Sequence, residues 1–282
     1  MKISYLSDLH LEFGLIPDFE KTEGGDVLIM AGDIFVAAPL NPRRTDKAAF
    51  QMRSYMQKMN RTLFNKFDKV LYIMGNHEHY GSIYKHTYNT INSALIELGI
   101  QNVRLLEDET VLYKGIYFIG STLWSDFQKE NPISMNACGE YMNDFNMIGS
   151  MDVDDMTYFN RNKSRTLTPN DVLGIHKYSL NYIKNETHSY ASNKCVVITH
   201  HAPTYKSLNT IHSGGVLDGA YASDLSDIML DNPNITHWIH GHCHMNTNYM
   251  VGNCNVLSCQ CGYRHENSFK NFTGPLTFEI GE

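Results

Sequence analysis

Five short apolar runs punctuate this chain, and each one ends in polar residues. Ile3 to Ser7 leads into Asp8-Leu9-His10, and Val27 to Ala31 leads into Gly32-Asp33. Val70 to Met74 leads into Gly75-Asn76-His77-Glu78, Cys195 to Thr199 into His200-His201, and His237 to Ile239 into His240-Gly241-His242-Cys243-His244. Continuous apolar runs of about five residues suit strands covered on both faces. Between them the spacing predicts helices. Lys47 to Phe67 carries Phe50, Met56, Met59, Leu63, Phe64 and Phe67 near helical spacing, and Phe50, Met56 and Phe64 are read as core. Tyr84 to Leu98 repeats the pattern. Thr168-Pro169-Asn170-Asp171 reads as a helix start, with Thr168 as N-cap, Pro169 at the first helical position and an acid in the first turn. The helix that follows would turn Val172, Ile175, Leu180 and Ile183 inward.

Strands alternating with helices indicate an α/β fold. Polar residues at the carboxyl ends of such strands are where sites in these sheets are built. Trp124, after Ser121-Thr122-Leu123, is read as core, with a wall of the site as the alternative. Residues 125–167, rich in Asn, Asp and Met, have the weakest periodicity and read as an insertion over the sheet edge, within a single domain spanning residues 1–282. Asp152, Asp154 and Asp155 form a short acidic run there. It is read as solvated surface, because a calcium loop would need its own glycine and terminal glutamate spacing.

Composition narrows the class. A chain of 282 residues, 42% apolar, can bury a core without staples. No apolar run approaches the ~20 residues of a membrane-spanning helix. Asp8 falls where a signal peptide would need its apolar stretch, so the expected location is the cytoplasm. Lys and Arg number 23 against 30 Asp and Glu, a formal charge of -7, which argues against a broad nucleic-acid surface. A single phosphate site remains compatible, because bound cations reverse the sign locally. Six cysteines in a chain of this size read as reduced thiols. Histidine is the departure: there are 14, many beside Asp, Asn or Gly, which makes a metal site the first thing to seek.

The polar ends of the runs form one set. Asp8 and His10, Asp33, Asn76 and His77, His200, and His242 and His244 all follow apolar strands. Their side chains are oxygen and imidazole nitrogen donors, the mixture that two neighbouring cations need. An i, i+2 pair such as Asp8/His10 or His242/His244 can present both side chains at one strand end.

In order along the chain, the blocks D-x-H, G-D, G-N-H-E, H-H and G-H-x-H resemble those of the calcineurin-like metallophosphoesterase superfamily, from Asp8 to His244. The resemblance implies a four-layer α/β/β/α sandwich of two mixed sheets with a dinuclear metal centre at one edge. It assigns Asp8, His10 and His244 to one metal and Asn76, His200 and His242 to the second, with Asp33 bridging. His77 would stand outside the metals, beside the phosphate, as hydrogen-bond donor or general acid. Glu78, where many relatives have Asp, would orient His77. Two divalent cations, manganese first with iron or zinc as alternatives, would activate a bridging water as hydroxide for in-line attack on phosphorus. The expected function is hydrolysis of a small phosphoester or nucleotide. The alternatives are a phosphodiesterase or nuclease acting on nucleic-acid ends, and a non-catalytic metal-binding scaffold.

Departures refine the subgroup. Phosphoprotein phosphatases of this superfamily carry G-D-x-V-D-R-G and R-G-N-H-E, whereas here Asp33 precedes Ile34-Phe35-Val36 and Met74 replaces the arginine. The G-H-x-H ending is more like the bacterial and phage small-phosphoesterase branch. In one group of its members an N-P-R-G-Y stretch is expected where this chain has Cys259-Gln260-Cys261-Gly262-Tyr263, so a basic group is lost. His201 is read either as lining the substrate pocket or as packed. His240 is read as packing beneath the site, and His79 and Tyr80 as stabilising their loop, with facing substrate as the alternative. His212, Gly214 and Gly215 lie in a long loop that could close over the centre or remain plain surface. Membrane binding is not expected, and the oligomeric state stays open.

Overall fold

The computed structural model describes residues 1–150, 165–208 and 214–281. Eleven strands run through them: β1 (Lys2–Leu6), β2 (Gly25–Ala31), β3 (Phe67–Ile73), β4 (Val103–Leu106), β5 (Glu109–Tyr113), β6 (Ile116–Ser121), β7 (Cys195–Thr199), β8 (Ile235–Ile239), β9 (Thr247–Val251), β10 (Cys254–Ser258) and β11 (Leu276–Glu279). They form a five-stranded sheet in the order β11-β1-β2-β3-β4 and a six-stranded sheet in the order β5-β6-β7-β8-β10-β9. Each sheet is parallel at its centre, with antiparallel pairing at β11 in the first and at β5 and β9 in the second.

The alternation of side chains along each strand produces the layers. Val27, Ile29 and Ala31 of β2 join Leu71 and Ile73 of β3 in facing Phe118, Val196, Ile198 and Ile239 of the other sheet. Leu28 and Met30 point the opposite way, onto Met52, Met56 and Met59 of the helix Lys47–Thr62 and Ile91 and Leu95 of the helix Tyr84–Glu97. On the far side, Val197 and Trp238 meet Ile183 of the helix Pro169–Ser189 and Ile228 and Met229 of Ser226–Asp231. The result is the α/β/β/α sandwich that the resemblance implied. Both faces of the central strands are covered, which is why their sequences are continuous apolar runs. Among the described residues no helix is long and apolar enough to cross a membrane.

Two details of the helices depart from the sequence reading. Phe50 is 66% exposed rather than core. The helix buries Ala49, Met52, Met56 and Met59, and Phe50 sits one residue, about 100° of turn, off that face. The helix also stops at Thr62. Leu63 and Phe64 pack from a short turn, and Phe67 opens β3. In Pro169–Ser189 the buried face is Val172, Leu173, His176, Ser179, Ile183 and Thr187, while Ile175 and Leu180 are only partly buried and flank it.

The start of that helix follows the expected chemistry. The Thr168 hydroxyl accepts from the Asp171 backbone N–H, and the Asp171 carboxylate accepts from the Thr168 N–H at 2.8 Å, a reciprocal capping box. Thr168→Ala is therefore expected to lower the unfolding free energy by about 1 kcal/mol, measured by urea denaturation.

The described part of 125–167 is not featureless. Phe127, Cys138, Phe145, Ile148 and Leu167 form an apolar cluster with Trp124, Tyr80 and Val172. Trp124 is buried, as read from the sequence. The acidic run at Asp152, Asp154 and Asp155 and the loop residue His212 lie outside the described residues.

Candidate metal centre

The carboxyl ends of β1, β2 and β3 from one sheet and β7 and β8 from the other converge on one edge. The segment after β10 crosses between the sheets to close it. Ser7 N–H donates to the Cys259 carbonyl at 2.9 Å, Cys261 N–H to the Ser7 carbonyl at 3.1 Å, and Gly262 N–H to the Asp8 carbonyl at 2.9 Å. On this edge Asp8, His10 and His244 bring three ligand atoms within 4.8 Å of one another, and Asp33, His200 and His242 bring together three more. Five of these six residues sit in the left-handed backbone region: Asp8 (φ 57°), His10 (46°), Asp33 (54°), His242 (73°) and His244 (48°). Such a conformation costs an L-residue about 1–2 kcal/mol, and Asp and His are among the few that tolerate it. Strain of this kind persists only where its surroundings over-determine it.

Close approach explains two glycines. A Cβ on Gly75 would overlap the Asp33 carboxylate, and one on Gly32, at φ +89°, would overlap the His200 ring. The glycine of each block therefore leaves room for the donor beside it.

Tautomers can be read from the partners. His200 Nδ1 faces the Ala31 carbonyl at 2.8 Å, which can only accept, so that nitrogen carries the proton. Its Nε2 faces Asn76 Oδ1 at 3.1 Å, a contact that without a cation needs a second proton on the ring. The Asn76 amide is oriented by its NH₂, which donates to Asp144 Oδ1 at 2.8 Å and to Tyr80 Oη at 3.1 Å. Asn76 Oδ1 is therefore an acceptor waiting on a proton or a cation. His242 Nε2 is buried with no hydrogen-bond partner among the described residues. At the other group, His10 Nδ1 donates to Glu12 at 3.2 Å and His244 Nδ1 to Glu266 at 2.7 Å. Their Nε2 atoms, 2.9 Å apart, are left to share one proton or a cation. Facing donor atoms that must borrow a proton, and an orphaned imidazole nitrogen, fit divalent cations better than they fit one another.

The electrostatics agree. Burial opposes charge on His200, but Asp33 and Asp8 outweigh it and raise its pKa to about 9. Burial likewise opposes charge on His244, and Asp8 and Glu266 outweigh it, to about 10. Burial and the neighbouring His201 and His200 hold His242 well below the usual range. Asp33, despite burial, is held well below the carboxylate range by His200 and His77. Protons on imidazoles are neutralising these carboxylates, and cations at the same place would release them.

Asp33 lies between the two groups: Oδ1 is 3.4 Å from His200 Nε2, and Oδ2 is 3.9 Å from His10 Nε2 and 4.0 Å from His77 Nε2. Asp8 accepts from the His242 N–H at 3.0 Å and from the Ser7 hydroxyl.

The expected task of Glu78 is corrected here. Its fully buried carboxylate accepts from the backbone N–H groups of Asp33 (3.0 Å), Ile34 (2.8 Å) and Gly75 (2.7 Å) and from the Tyr72 hydroxyl (2.6 Å). It fixes the turn that presents Asp33 and does not touch the His77 ring. The carboxylate on His77 is Glu12, which takes the His77 Nδ1–H at 2.8 Å. Tyr263 Oη lies 3.2 Å from His77 Nε2, and Tyr80 packs along the ring at 4.3 Å. Sequence reasoning assigned no site role to Glu12, Asp144, Tyr263 or Glu266. Glu12 carried a local signal, as the acid two residues beyond His10, and Tyr263 another, as the tyrosine that the N-P-R-G-Y stretch shares.

The remaining histidines are placed as follows. His201 is buried and packs between Trp124 and His242, at 5.1 and 4.3 Å, away from the cavity wall. His240 lies beneath the site, with Nδ1–H donating to the Gly241 carbonyl and Nε2 accepting from the Ser207 hydroxyl at 2.9 Å. His79 stacks on Tyr84 at 4.4 Å. A cavity of about 990 Å³ opens over the donors, walled by Tyr141, Tyr221 and Tyr263 and by Asn143, Asn246 and Asn271. Leu208, Leu217 and Asp218 bring the loop after His200 to its rim.

A fold of two facing sheets with imidazole and carboxylate donors massed at one edge defines a metallophosphoesterase, a hydrolase of phosphoester bonds. The chain belongs to the calcineurin-like phosphoesterase family, whose model matches residues 1–246. It is 29% identical to the uncharacterized protein L509 of Acanthamoeba polyphaga mimivirus, over 96% of this chain and 94% of that protein. Its fold is similar to that of the phosphopantetheinyl hydrolase PptH from Mycobacterium tuberculosis, with a TM-score of 0.63 at 15% identity over 97% of this chain and 93% of that one. A dimetal phosphatase from Danio rerio aligns over 92% of this chain and 87% of its own, at a TM-score of 0.47 and 10% identity.

Proposed function

We propose that this protein hydrolyses a small phosphoester or nucleotide at a dinuclear centre. Asp8, His10 and His244 would hold one divalent cation, Asn76, His200 and His242 the second, and Asp33 both. The observation that carries this reading is the convergence of ligand atoms: His10 Nε2 faces His244 Nε2 at 2.9 Å and His200 Nε2 faces Asn76 Oδ1 at 3.1 Å, each pair held only by a proton that a cation would replace. When bound, the cations supply Lewis acidity toward the phosphate oxygens and lower the pKa of a coordinated water. Manganese is the first metal to test, with iron or zinc as alternatives, because this donor set does not discriminate strongly.

The protein's own groups divide the remaining work. Asp33, with one oxygen toward each group of donors, sets their spacing. His77, held from Nδ1 by Glu12, is kept protonated because Asp33 and Glu12 outweigh burial and raise its pKa to about 9, so its Nε2–H faces the cavity and can donate to the leaving oxygen. The tyrosine and asparagine walls supply ring faces and amide groups, which suits a nucleotide's base. The cavity is roomier than a phosphate alone requires, which favours a nucleotide phosphodiester as the second reading. Asp33 and His77 are both present, which weighs against a non-catalytic scaffold. The chain would act as one domain with 125–167 inserted, and its six unpaired thiols support a cytoplasmic location.

Elemental analysis of protein purified with manganese should give about two ions per chain. The same preparation should hydrolyse para-nitrophenyl phosphate or bis-para-nitrophenyl phosphate, and the faster of the two identifies the ester class. Metal near zero overturns the dinuclear reading, and bound metal with neither ester cleaved favours the scaffold.

A further inference from the structure

Glu12 joins two parts of the site that have separate tasks. One oxygen, Oε1, accepts from His10 Nδ1 at 3.2 Å and from His77 Nδ1 at 2.8 Å. The other, Oε2, is buried and has no partner among the described residues. Among the described residues the carboxylate is therefore held by these two imidazoles, and both contacts fall on the same oxygen. The rings stand edge-on with centroids 4.4 Å apart, and Tyr263 covers His10 at 4.6 Å while reaching His77 Nε2 with its hydroxyl. Tyr80 closes the other side of His77.

We propose that Glu12 is a positioning residue shared by a metal ligand and the proton donor. By taking both Nδ1–H groups it leaves His10 Nε2 as a lone pair toward the first group of donors and turns His77 Nε2 toward the cavity. This rests on the reading of His10 and His77 given above, and it goes beyond it by coupling the two. In a neutral imidazole a carboxylate on Nδ1–H leaves Nε2 as the acceptor, which suits the ligand His10; His77 donates only when doubly protonated, and there the same carboxylate holds the ring in place. Groups that fix the tautomer of a ligating histidine typically carry 10–100-fold in metal affinity or activity. Here a single side chain does so for two rings, so its loss should appear in two independent properties at once.

The test uses the full-length protein, as purified and after zinc loading, with Glu12→Gln and, as a milder change, Glu12→Asp. A circular dichroism melt checks that each variant is folded. Long-range ¹⁵N–¹H spectra of the imidazoles read the tautomer directly. In the parent protein both His10 and His77 should carry hydrogen on Nδ1. In Glu12→Gln both rings should lose that preference, because a single neutral amide oxygen does not hold two donors as a carboxylate does. Calorimetric titration with zinc should show one of two sites weakened about 10–100-fold and the other unchanged. Turnover of an alkyl phosphoester should fall in kcat with KM little altered. Glu12→Asp, which keeps the charge, should recover part of all three. Unchanged tautomers in a folded Glu12→Gln, or a change at one ring only, overturn the shared role. A parent protein that binds no zinc and cleaves no ester overturns the metal-centre reading instead. The spectra of the protein as purified separate the two failures.

Discussion

Asp33→Asn should lose bound metal and hydrolysis together. The substitution keeps the size of the side chain and removes one negative charge from the position between the two donor groups, where its oxygens lie 3.4 and 3.9 Å from His200 and His10. An amide offers one acceptor oxygen in place of two and no charge, so neither cation would keep its shared ligand. Removing one preorganised electrostatic group commonly costs about 10²–10³-fold in rate. Asp33 would serve two cations, so the loss should be about 10³-fold or more, with metal content well below two per chain. Elemental analysis and turnover on one preparation check this. Full metal content in the Asp33→Asn variant would remove Asp33 from its bridging place. The backbone at this position should stay in place, because Glu78 holds the Asp33 N–H independently of the side chain. The fold should therefore survive, and a thermal melt distinguishes a lost ligand from a lost structure.

His77→Ala should behave in the opposite way. The ring sits beside Asp33 and is held by Glu12, Tyr80 and Tyr263, and its ligand atom clusters with those of His10 and Glu12, a third group beside the two proposed to hold the cations. Both metals should stay. A positioned acid is worth about 10²–10⁴-fold, so the rate should fall by that order. The deficit should shrink for esters of nitrophenol, whose leaving group needs little protonation, and stay large for alkyl esters. Metals leaving with His77 would make it a ligand. An equal rate loss across leaving groups would make it a phosphate-orienting group and not the acid.

The contrast between Glu78 and Glu12 marks where sequence reasoning stopped. Glu78 adjoins His77 in the chain and was the obvious partner, yet its carboxylate is consumed by three backbone N–H groups and Tyr72. A short turn from Asn76 to Tyr80 sends consecutive side chains in different directions, so adjacency in sequence does not imply contact. Glu266 and Tyr263 reach the site only because the segment after β10 crosses to pair with Ser7 and Asp8 on the other sheet. No periodicity encodes that crossing. Asp144 arrives from the 125–167 stretch, whose pattern predicted no element, and orients Asn76 from there.

The information legible in the residues themselves was local and repeated: apolar runs of strand length, each closed by the same small set of donors. The apolar run dictates burial on both faces, burial dictates a central strand, and the residue after the strand is then at the edge by necessity. That chain of reasoning carried the α/β class and grouped Asp8, His10, Asp33, Asn76, His77, His200, His242 and His244 at strand ends, while the four layers came from the resemblance to the family. Which ring nitrogen meets which carboxylate was settled by the folded chain. Those pairings depend on left-handed backbone at five donor positions and on partners as much as 234 residues away, as for His10 and His244. A side chain's direction is set by the dihedrals of its own residue and by what the rest of the chain has already packed against it, and neither is written in spacing.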